Sequence, residues 1–219
     1  MTRKQMTNDA KPMTLKDISA IVLAAGKSER MGSQKLLLPF GGKTIIETAI
    51  ENILSAGVGN ILVVLGSHKD KITQVIHHLP VSTCFNPDYE DGMHSSVICG
   101  FSHLPENARA VLVFLGDQPF IPAEVIQTVI HTWRASGKKI IIPTFRGERG
   151  HPTLLDCRLK NEILQLDPEI GLRSVTMKFP EEILEVEVNF PQILRDIDTK
   201  NDYITELKLL GQHGRNNQI

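Results

Sequence analysis

Short, continuous apolar runs alternate with amphipathic helical patterns along most of this chain of 219 residues. Apolar runs of this kind are typical of strands that are buried on both faces of a sheet. Strands that alternate with helices predict a parallel α/β sheet with right-handed crossovers. The runs that predict strands are Ile18 to Leu23, Ile61 to Leu65, Val111 to Leu115, Ile140 to Ile142 and Ile183 to Val188.

Capping signals mark the helices between these strands. Polar residues with a side-chain oxygen, followed by an acidic residue, favour the start of a helix, and glycine or proline favours its end. Proline is also favoured at the first helical position. The start signals are Thr44 with Glu47, Pro122 at a first helical position, and Thr199 with Asp202; the stop signals are Gly57, Pro80 and Gly137.

These patterns predict one α/β domain over residues 17–210, with a mostly parallel, Rossmann-like sheet flanked by helices. Residues 1–16 and 211–219 are polar, and we expect them to be flexible tails. The formal net charge of -1 excludes a generically basic nucleic-acid binder. A mean hydropathy of -0.08, without an apolar run of about 18 residues, excludes a membrane span.

The cysteines give a prediction about the compartment. Cys84, Cys99 and Cys157 are odd in number and form no C-x-x-C pair, which argues against a disulfide framework and against a structural zinc site. The N-terminal residues lack the apolar segment of a signal peptide. We therefore expect a cytoplasmic protein whose thiols stay reduced.

The loop after the first strand carries the strongest functional signal. Ligands of parallel sheets bind outside the carboxyl ends of the strands, and the small residues of Ala24-Ala25-Gly26 allow a ligand to come close to the backbone. Lys27, Arg30 and Lys35 place three cations within nine residues, which suits a polyphosphate. A solvated basic loop is the alternative. A Walker A motif ending at Thr44 is excluded, because Leu37 stands where its first glycine is required.

Segments spread over the chain, in order, resemble the molybdenum cofactor nucleotidyltransferases, and most closely their cytidylyltransferase subgroup. They are Leu23 to Pro39 (LAAGKSERMGSQKLLLP), Asn86 to Ser96 (NPDYEDGMHSS), Leu115 to Ile121 (LGDQPFI), Gly150 to Pro152 (GHP) and Asp196 to Tyr203 (DIDTKNDY). The resemblance implies a nucleotide-diphospho-sugar transferase-like fold. It also implies Mg²⁺-dependent transfer of CMP from CTP to a molybdopterin-type phosphate, with release of pyrophosphate.

The resemblance also implies roles for individual residues. Asp117 and Asp198 are expected to bind the metal, Lys35 to lie against the α-phosphate, and Arg30 to hold the β- and γ-phosphates; Arg30, Lys35 and Asp117 are the expected catalytic residues. The expected nucleotide-binding residues are Leu23, Ala24, Ala25, Gly26, Arg30, Lys35, Gly66 and Asp117. The expected acceptor-binding residues are Asn86, Ser95, Ser96 and His151.

Each of these roles has a structural alternative. Asp117 could cap a turn before Pro119, and Asp198, like the weaker candidate Asp196, stands where a helix start favours polar caps. Asn86, Ser95 and Ser96 could bond only within their own loop. His151 could be a structural histidine.

The sequence predicts the base of the nucleotide more specifically than it predicts the acceptor. The guanylyltransferase branch tends to have glycine where this chain has Ala25, so the added methyl group favours the smaller base of CTP over that of GTP; packing alone is the alternative. Leu172 stands where the family commonly has alanine, which leaves the acceptor open. A sugar phosphate acceptor and a non-catalytic nucleotide- or cofactor-binding protein remain alternatives. A molybdoenzyme or its chaperone is an expected partner.

Overall fold

Strand β1 lies inside the central sheet, and six of its seven residues are apolar, as expected for a strand that is buried on both faces. The structure is a computed structural model, and it describes residues 15–28, 31 and 34–216. The strands are β1 (Ile18–Ala24), β2 (Pro39–Phe40), β3 (Lys43–Thr44), β4 (Asn60–Leu65), β5 (Ser82–Phe85), β6 (Ala110–Leu115), β7 (Ile140–Phe145), β8 (Glu148–Arg149), β9 (Thr153–Asp156) and β10 (Ile183–Glu187). The helices are α1 (Ile45–Ser55), α2 (Lys69–Ile76), α3 (Met93–Ser102), α4 (Ala123–Ser136), α5 (Lys160–Ile163), α6 (Arg173–Lys178) and α7 (Lys200–Asn216).

The central sheet has the strand order β10-β7-β9-β6-β1-β4-β5, and β8 pairs with β7. Neighbours are parallel from β6 through β1 and β4 to β5, and β10 is parallel to β7. Strand β9 runs antiparallel between β6 and β7. The predicted fold class, a mostly parallel sheet flanked by helices, is confirmed.

Alternate side chains of β1 enter two separate cores. Ala20 and Val22 face a core that helices α1, α2 and α4 cover, whereas Ile21 faces the opposite core beneath α3, α5 and α6. Burial of apolar area on both faces accounts for most of the favourable free energy of folding. It also explains why β1 tolerates so few polar residues.

Most of the predicted elements are confirmed within one or two residues. Thr44 and Glu47 form the capping box of α1, and Gly137 ends α4 in the left-handed region. Pro122 is the N-cap residue of α4 and not its first helical residue. Strands β5 and β9 and helix α3 were not predicted. The two strands are short, and polar residues interrupt the apolar pattern that would have identified the helix.

The C-terminal helix extends beyond the expected end of the domain at residue 210. Helix α7 continues to Asn216, so most of the expected tail 211–219 is helical. Glycine inside a helix costs only about 1 kcal/mol relative to alanine and does not by itself end the helix. Within the described residues, no helix combines the length and the apolar character that crossing a membrane requires.

The carboxyl end of β1 approaches its neighbours closely enough to require glycine on both sides. A Cβ atom built on Gly66, just after β4, would lie 2.3 Å from the carbonyl oxygen of Ala25. A Cβ atom built on Gly116, just after β6, would lie 2.9 Å from the carbonyl oxygen of Leu23. These contacts fix the loops after three adjacent parallel strands against one another.

We expect Gly66→Ala to lower the free energy of unfolding by about 2 kcal/mol or more, because the new methyl group meets rigid backbone. Gly59→Ala, at the other end of β4, is the matched control, since a Cβ atom there meets nothing within 4 Å. Urea unfolding of both variants checks the prediction. Equal stabilities of the two variants would contradict it.

Candidate active site

A cleft of about 580 Å³ opens at the carboxyl ends of β1 and β6. This is the edge of a parallel sheet at which ligands are expected. The cleft brings together most of the predicted nucleotide loop and the predicted metal ligands. Its lining includes Leu23, Ala24, Ala25, Gly26, Lys27, Ser28, Lys35, Leu36, Tyr89, Glu90, Gly92, Met93, Ser96, Leu115, Asp117, Asp196 and Asp198.

Gly26 leaves the floor of the cleft open. The residue is exposed, and a Cβ atom built on it would meet no protein atom within 4 Å. Its carbonyl oxygen accepts a hydrogen bond from the Ser67 hydroxyl at 3.2 Å. Ala24 and Ala25 are buried at the same turn, and Gly66 packs against Ala25 outside the cleft lining. The predicted residue Gly66 thus supports the loop from behind.

One cation joins two carboxylates at the centre of the cleft. The Nζ atom of Lys35 lies 2.5 Å from Oδ2 of Asp117 and 2.7 Å from Oδ1 of Asp198. Lys35 begins a short helical turn, Asp117 lies just after β6, and Asp198 lies just before α7. Asp117 and Asp198 follow Lys35 by 82 and 163 positions in the chain. Burial disfavours the charged form of Lys35, but both carboxylates outweigh this effect and raise its pKa above 10.5.

The cluster carries more negative charge than Lys35 compensates. Asp196 also lines the cleft, and burial together with the charges of Asp198 and Asp117 raises its pKa. The Oδ1 atom of Asp117 is buried and has no hydrogen-bond partner among the described residues. Oxygen donors with an excess of negative charge suit a hard divalent cation. The donor set of Asp117 and Asp198 therefore fits a Mg²⁺ ion.

The predicted acceptor residues fall into two groups. Asn86 is buried and donates from Nδ2 to the hydroxyls of Ser95 at 2.8 Å and Ser96 at 3.0 Å. The Ser95 hydroxyl in turn bonds to the carbonyl oxygens of Asp88 and Gly92. Ser96 lines the cleft, whereas Asn86 and Ser95 do not. Asn86 and Ser95 hold the loop 86–92 in place, and Ser96 alone of the three faces the cleft.

A comparison with protein-family models decides the family. Residues 20–183 match the model described as "MobA-like NTP transferase domain". The chain belongs to this family of nucleotidyltransferases. The predicted recognition and the predicted class of enzyme are thereby confirmed.

Two similar proteins and one solved structure cover most of this chain, although their names describe different activities. The molybdenum cofactor cytidylyltransferase of Escherichia coli K12 is 27% identical over 189 residues, which cover 86% of this chain and 94% of the relative. The nicotine blue oxidoreductase of Paenarthrobacter nicotinovorans is 26% identical over 190 residues, covering 83% and 92%. A solved nucleotidyl transferase from Methanothermobacter thermautotroptrophicus superposes with a TM-score of 0.78 at 26% identity, covering 90% and 98%.

The cleft also includes residues to which the motifs assigned no role. Tyr89, Glu90 and Met93 line it, and Glu90 forms an ion pair of 2.7 Å with Lys27. The motif that begins at Asn86 specified Met93 but left Tyr89 and Glu90 open, and only the folded loop places these two at the cleft. Arg30, the predicted β/γ-phosphate ligand, lies outside the described residues, so its role stays a prediction.

His151, a predicted acceptor residue, is not among the residues that line the cleft. It precedes the cis peptide bond to Pro152, and its backbone N–H donates to the carbonyl oxygen of Ile193 at 3.1 Å. Its Nδ1 atom is buried and has no partner within the part of the chain that the structure describes. Burial lowers the pKa of His151, although the Val113 carbonyl and the charge of Asp117 partly oppose this shift.

We expect His151 to be neutral in the folded transferase near neutral pH. An unfolded histidine titrates near 6.5. Because the folded-state pKa is lower, the unfolded state binds the extra proton first, and the free energy of unfolding falls as the pH drops below that value. In His151→Gln this part of the acid destabilisation should be absent. Urea unfolding of parent and variant at about pH 7 and about pH 5.5 checks the difference; equal pH dependences would contradict it.

Proposed function

We propose that this transferase moves CMP from CTP to the phosphate of a molybdopterin-type acceptor and releases pyrophosphate. An oxygen of the acceptor phosphate attacks the α-phosphorus, and the bond from that phosphorus to the bridging oxygen of the pyrophosphate breaks. The observation that carries the proposal is the bridge of Lys35 to Asp117 and Asp198 inside the cleft. Such transfer depends on positioning and charge neutralisation rather than on an acid or base.

We assign the residues of the cleft to the nucleotide, the metal ion or the acceptor according to where they lie. Ala24, Ala25 and Gly26 form the surface on which the nucleotide lies, and Lys35 faces the reacting phosphate. Asp117 and Asp198 would hold Mg²⁺, which when bound neutralises phosphate charge and favours departure of the pyrophosphate. Ser96 and the loop 89–93 form the opposite wall, where we place the acceptor. The buried bonds of Asn86 keep that wall rigid.

Asp117→Asn should abolish most of the turnover and leave the fold intact. Loss of one carboxylate ligand should cost about 3 kcal/mol of transition-state stabilisation, roughly 100-fold or more in kcat/KM. Pyrophosphate release with CTP, Mg²⁺ and a molybdopterin-type acceptor measures the effect, and the melting temperature controls for folding. Asp70→Asn makes the same chemical change on the exposed start of α2 and should retain parental activity. Near-parental activity of Asp117→Asn would contradict the metal role.

The same assay separates the alternatives that remain open. Pyrophosphate release with a sugar phosphate, and none with a molybdopterin-type acceptor, would favour the alternative acceptor. Binding of CTP without release with any acceptor tried would favour a nucleotide- or cofactor-binding protein. The charged cluster favours catalysis, because a protein that only binds has no need to bury Lys35 between two carboxylates.

We further propose that CTP is preferred over GTP. Ala25 lines the cleft, and its methyl group also packs beside Gly66, where a built Cβ atom would lie 2.8 Å away. We place the base beside Ala25, where the methyl group reduces the space for a purine. A steric misfit of this size is worth roughly 10- to 200-fold in kcat/KM.

Ala25→Gly should reduce this preference for CTP. Measuring kcat/KM for CTP and GTP with the same acceptor, in the parent and in Ala25→Gly, tests it. A parent that prefers GTP would refute the prediction. An unchanged ratio would assign Ala25 to packing alone.

We also propose that the transferase works in the cytoplasm and delivers its product to a molybdoenzyme or to the chaperone of one. Its support is the class of acceptor and the three free cysteines, which suit a reducing compartment. Co-purification of a molybdoenzyme with the tagged transferase, lost on competition with free product, would test the partner.

A further inference from the structure

Two thiols and an imidazole meet on the side of the molecule that α3 covers. Cys84 is the third residue of β5, Cys99 lies in the last turns of α3, and His103 follows directly after that helix. The two sulfur atoms are 3.7 Å apart, and Nδ1 of His103 lies 4.0 Å from the sulfur of Cys99. One ligand atom from each residue lies within 4.8 Å of the others.

These distances match a tetrahedral thiolate site. Zinc–sulfur bonds of about 2.3 Å at tetrahedral angles place two sulfur atoms about 3.8 Å apart. Cys99 and His103 are four positions apart and therefore share one face of the helix end. Nδ1 of His103 also lies 2.8 Å from the backbone carbonyl oxygen of Cys99. An ion bound through Nε2 would leave that contact in place as the bond that orients the imidazole, whereas an ion bound through Nδ1 would replace it.

The surroundings disfavour the other uses of two neighbouring thiols. Burial raises the pKa of Cys84 to about 12, and burial also raises that of Cys99, so both are neutral thiols and poor nucleophiles. Binding of a divalent cation would lower the free energy needed to deprotonate both thiols.

We propose that Cys84, Cys99 and His103 bind one Zn²⁺ ion, with a water molecule as the fourth ligand. Two thiol protons leave to solvent as the two sulfur–zinc bonds form, and no electron transfer takes place. His103 is exposed and also borders a second cavity of about 320 Å³, which gives the ion a path from solvent. The soft donor set distinguishes this site from the oxygen donors of the active-site cleft.

The absence of a C-x-x-C pair had argued against structural zinc. That argument considers ligands that are close in sequence, whereas parallel pairing of β4 with β5 and the packing of α3 bring Cys84 to Cys99 across 15 positions. The ion would link β5 to α3. Asn86 follows β5 directly and Ser96 lies in the first turn of α3, so the ion would hold together the two elements that flank the loop 86–92.

Cobalt(II) is the probe for this site, because thiolate ligands give it an intense sulfur-to-metal charge-transfer band that oxygen ligands do not give. The reduced full-length protein is titrated with Co²⁺ and then with Zn²⁺, and bound zinc is quantified after desalting. We expect one equivalent of Co²⁺ with the charge-transfer band, and its displacement by Zn²⁺. Binding at Asp117 and Asp198 would not produce this band.

Four variants test which residues bind the Co²⁺ ion that gives the charge-transfer band. Cys84→Ser, Cys99→Ser and His103→Gln should lose stoichiometric binding with the thiolate band, and circular dichroism confirms that each is folded. Cys157→Ser, which removes the thiol outside the cluster, is the matched control and should bind like the parent. A parent without the band, an unchanged Cys99→Ser, or an equal loss in Cys157→Ser would each overturn the proposal. A disulfide between Cys84 and Cys99 that persists under reducing conditions would also overturn it.

Discussion

The ion pairs of Lys35 with Asp117 and Asp198 determine how the rest of the active site can be built. Moving an ammonium group and two carboxylates out of water is costly, and their mutual attraction offsets this cost only when the geometry is good. Here one Nζ atom lies within hydrogen-bond distance of both carboxylates. Three segments that are far apart in the chain must therefore meet at one point. The sheet is the rigid frame that allows it.

The central sheet brings these three segments together at the carboxyl ends of its parallel strands. The backbone N–H of Gly116 donates to the carbonyl oxygen of Leu23 at 3.0 Å, and that of Ile197 donates to the carbonyl oxygen of Asp117 at 3.2 Å. The first bond fixes the end of β6 beside the nucleotide loop. The second attaches the segment before α7, and with it Asp198, to the end of β6. Positioning of the charged groups thus rests on backbone bonds that do not depend on a ligand.

The tertiary arrangement decided which features the sequence could predict. Continuous apolar runs identified β1, β4 and β6, because strands that are buried on both faces carry an unambiguous pattern. Strand β5 reads Ser-Thr-Cys-Phe and is paired on one side only, so its pattern did not distinguish it from a loop. Lys35, Asp117 and Asp198 were predicted through motifs. Their meeting at one Nζ atom depends on long-range packing that no local pattern records.

The predicted acceptor residues show the same limit for the assignment of roles to residues. Asn86 and Ser95 were predicted from their motif as acceptor ligands, yet their polar atoms bond to each other and to the loop backbone. A motif records that a residue type is needed, and it does not distinguish contact with a ligand from support of a residue that makes the contact. Helix α3 contributes to both proposed sites. Its first turn holds Ser96 at the cleft, and its end holds Cys99 beside Cys84 and His103. Because oxygen donors select hard cations and sulfur donors select soft ones, the carboxylates of the cleft and the thiols near the end of α3 would bind different metals without competition.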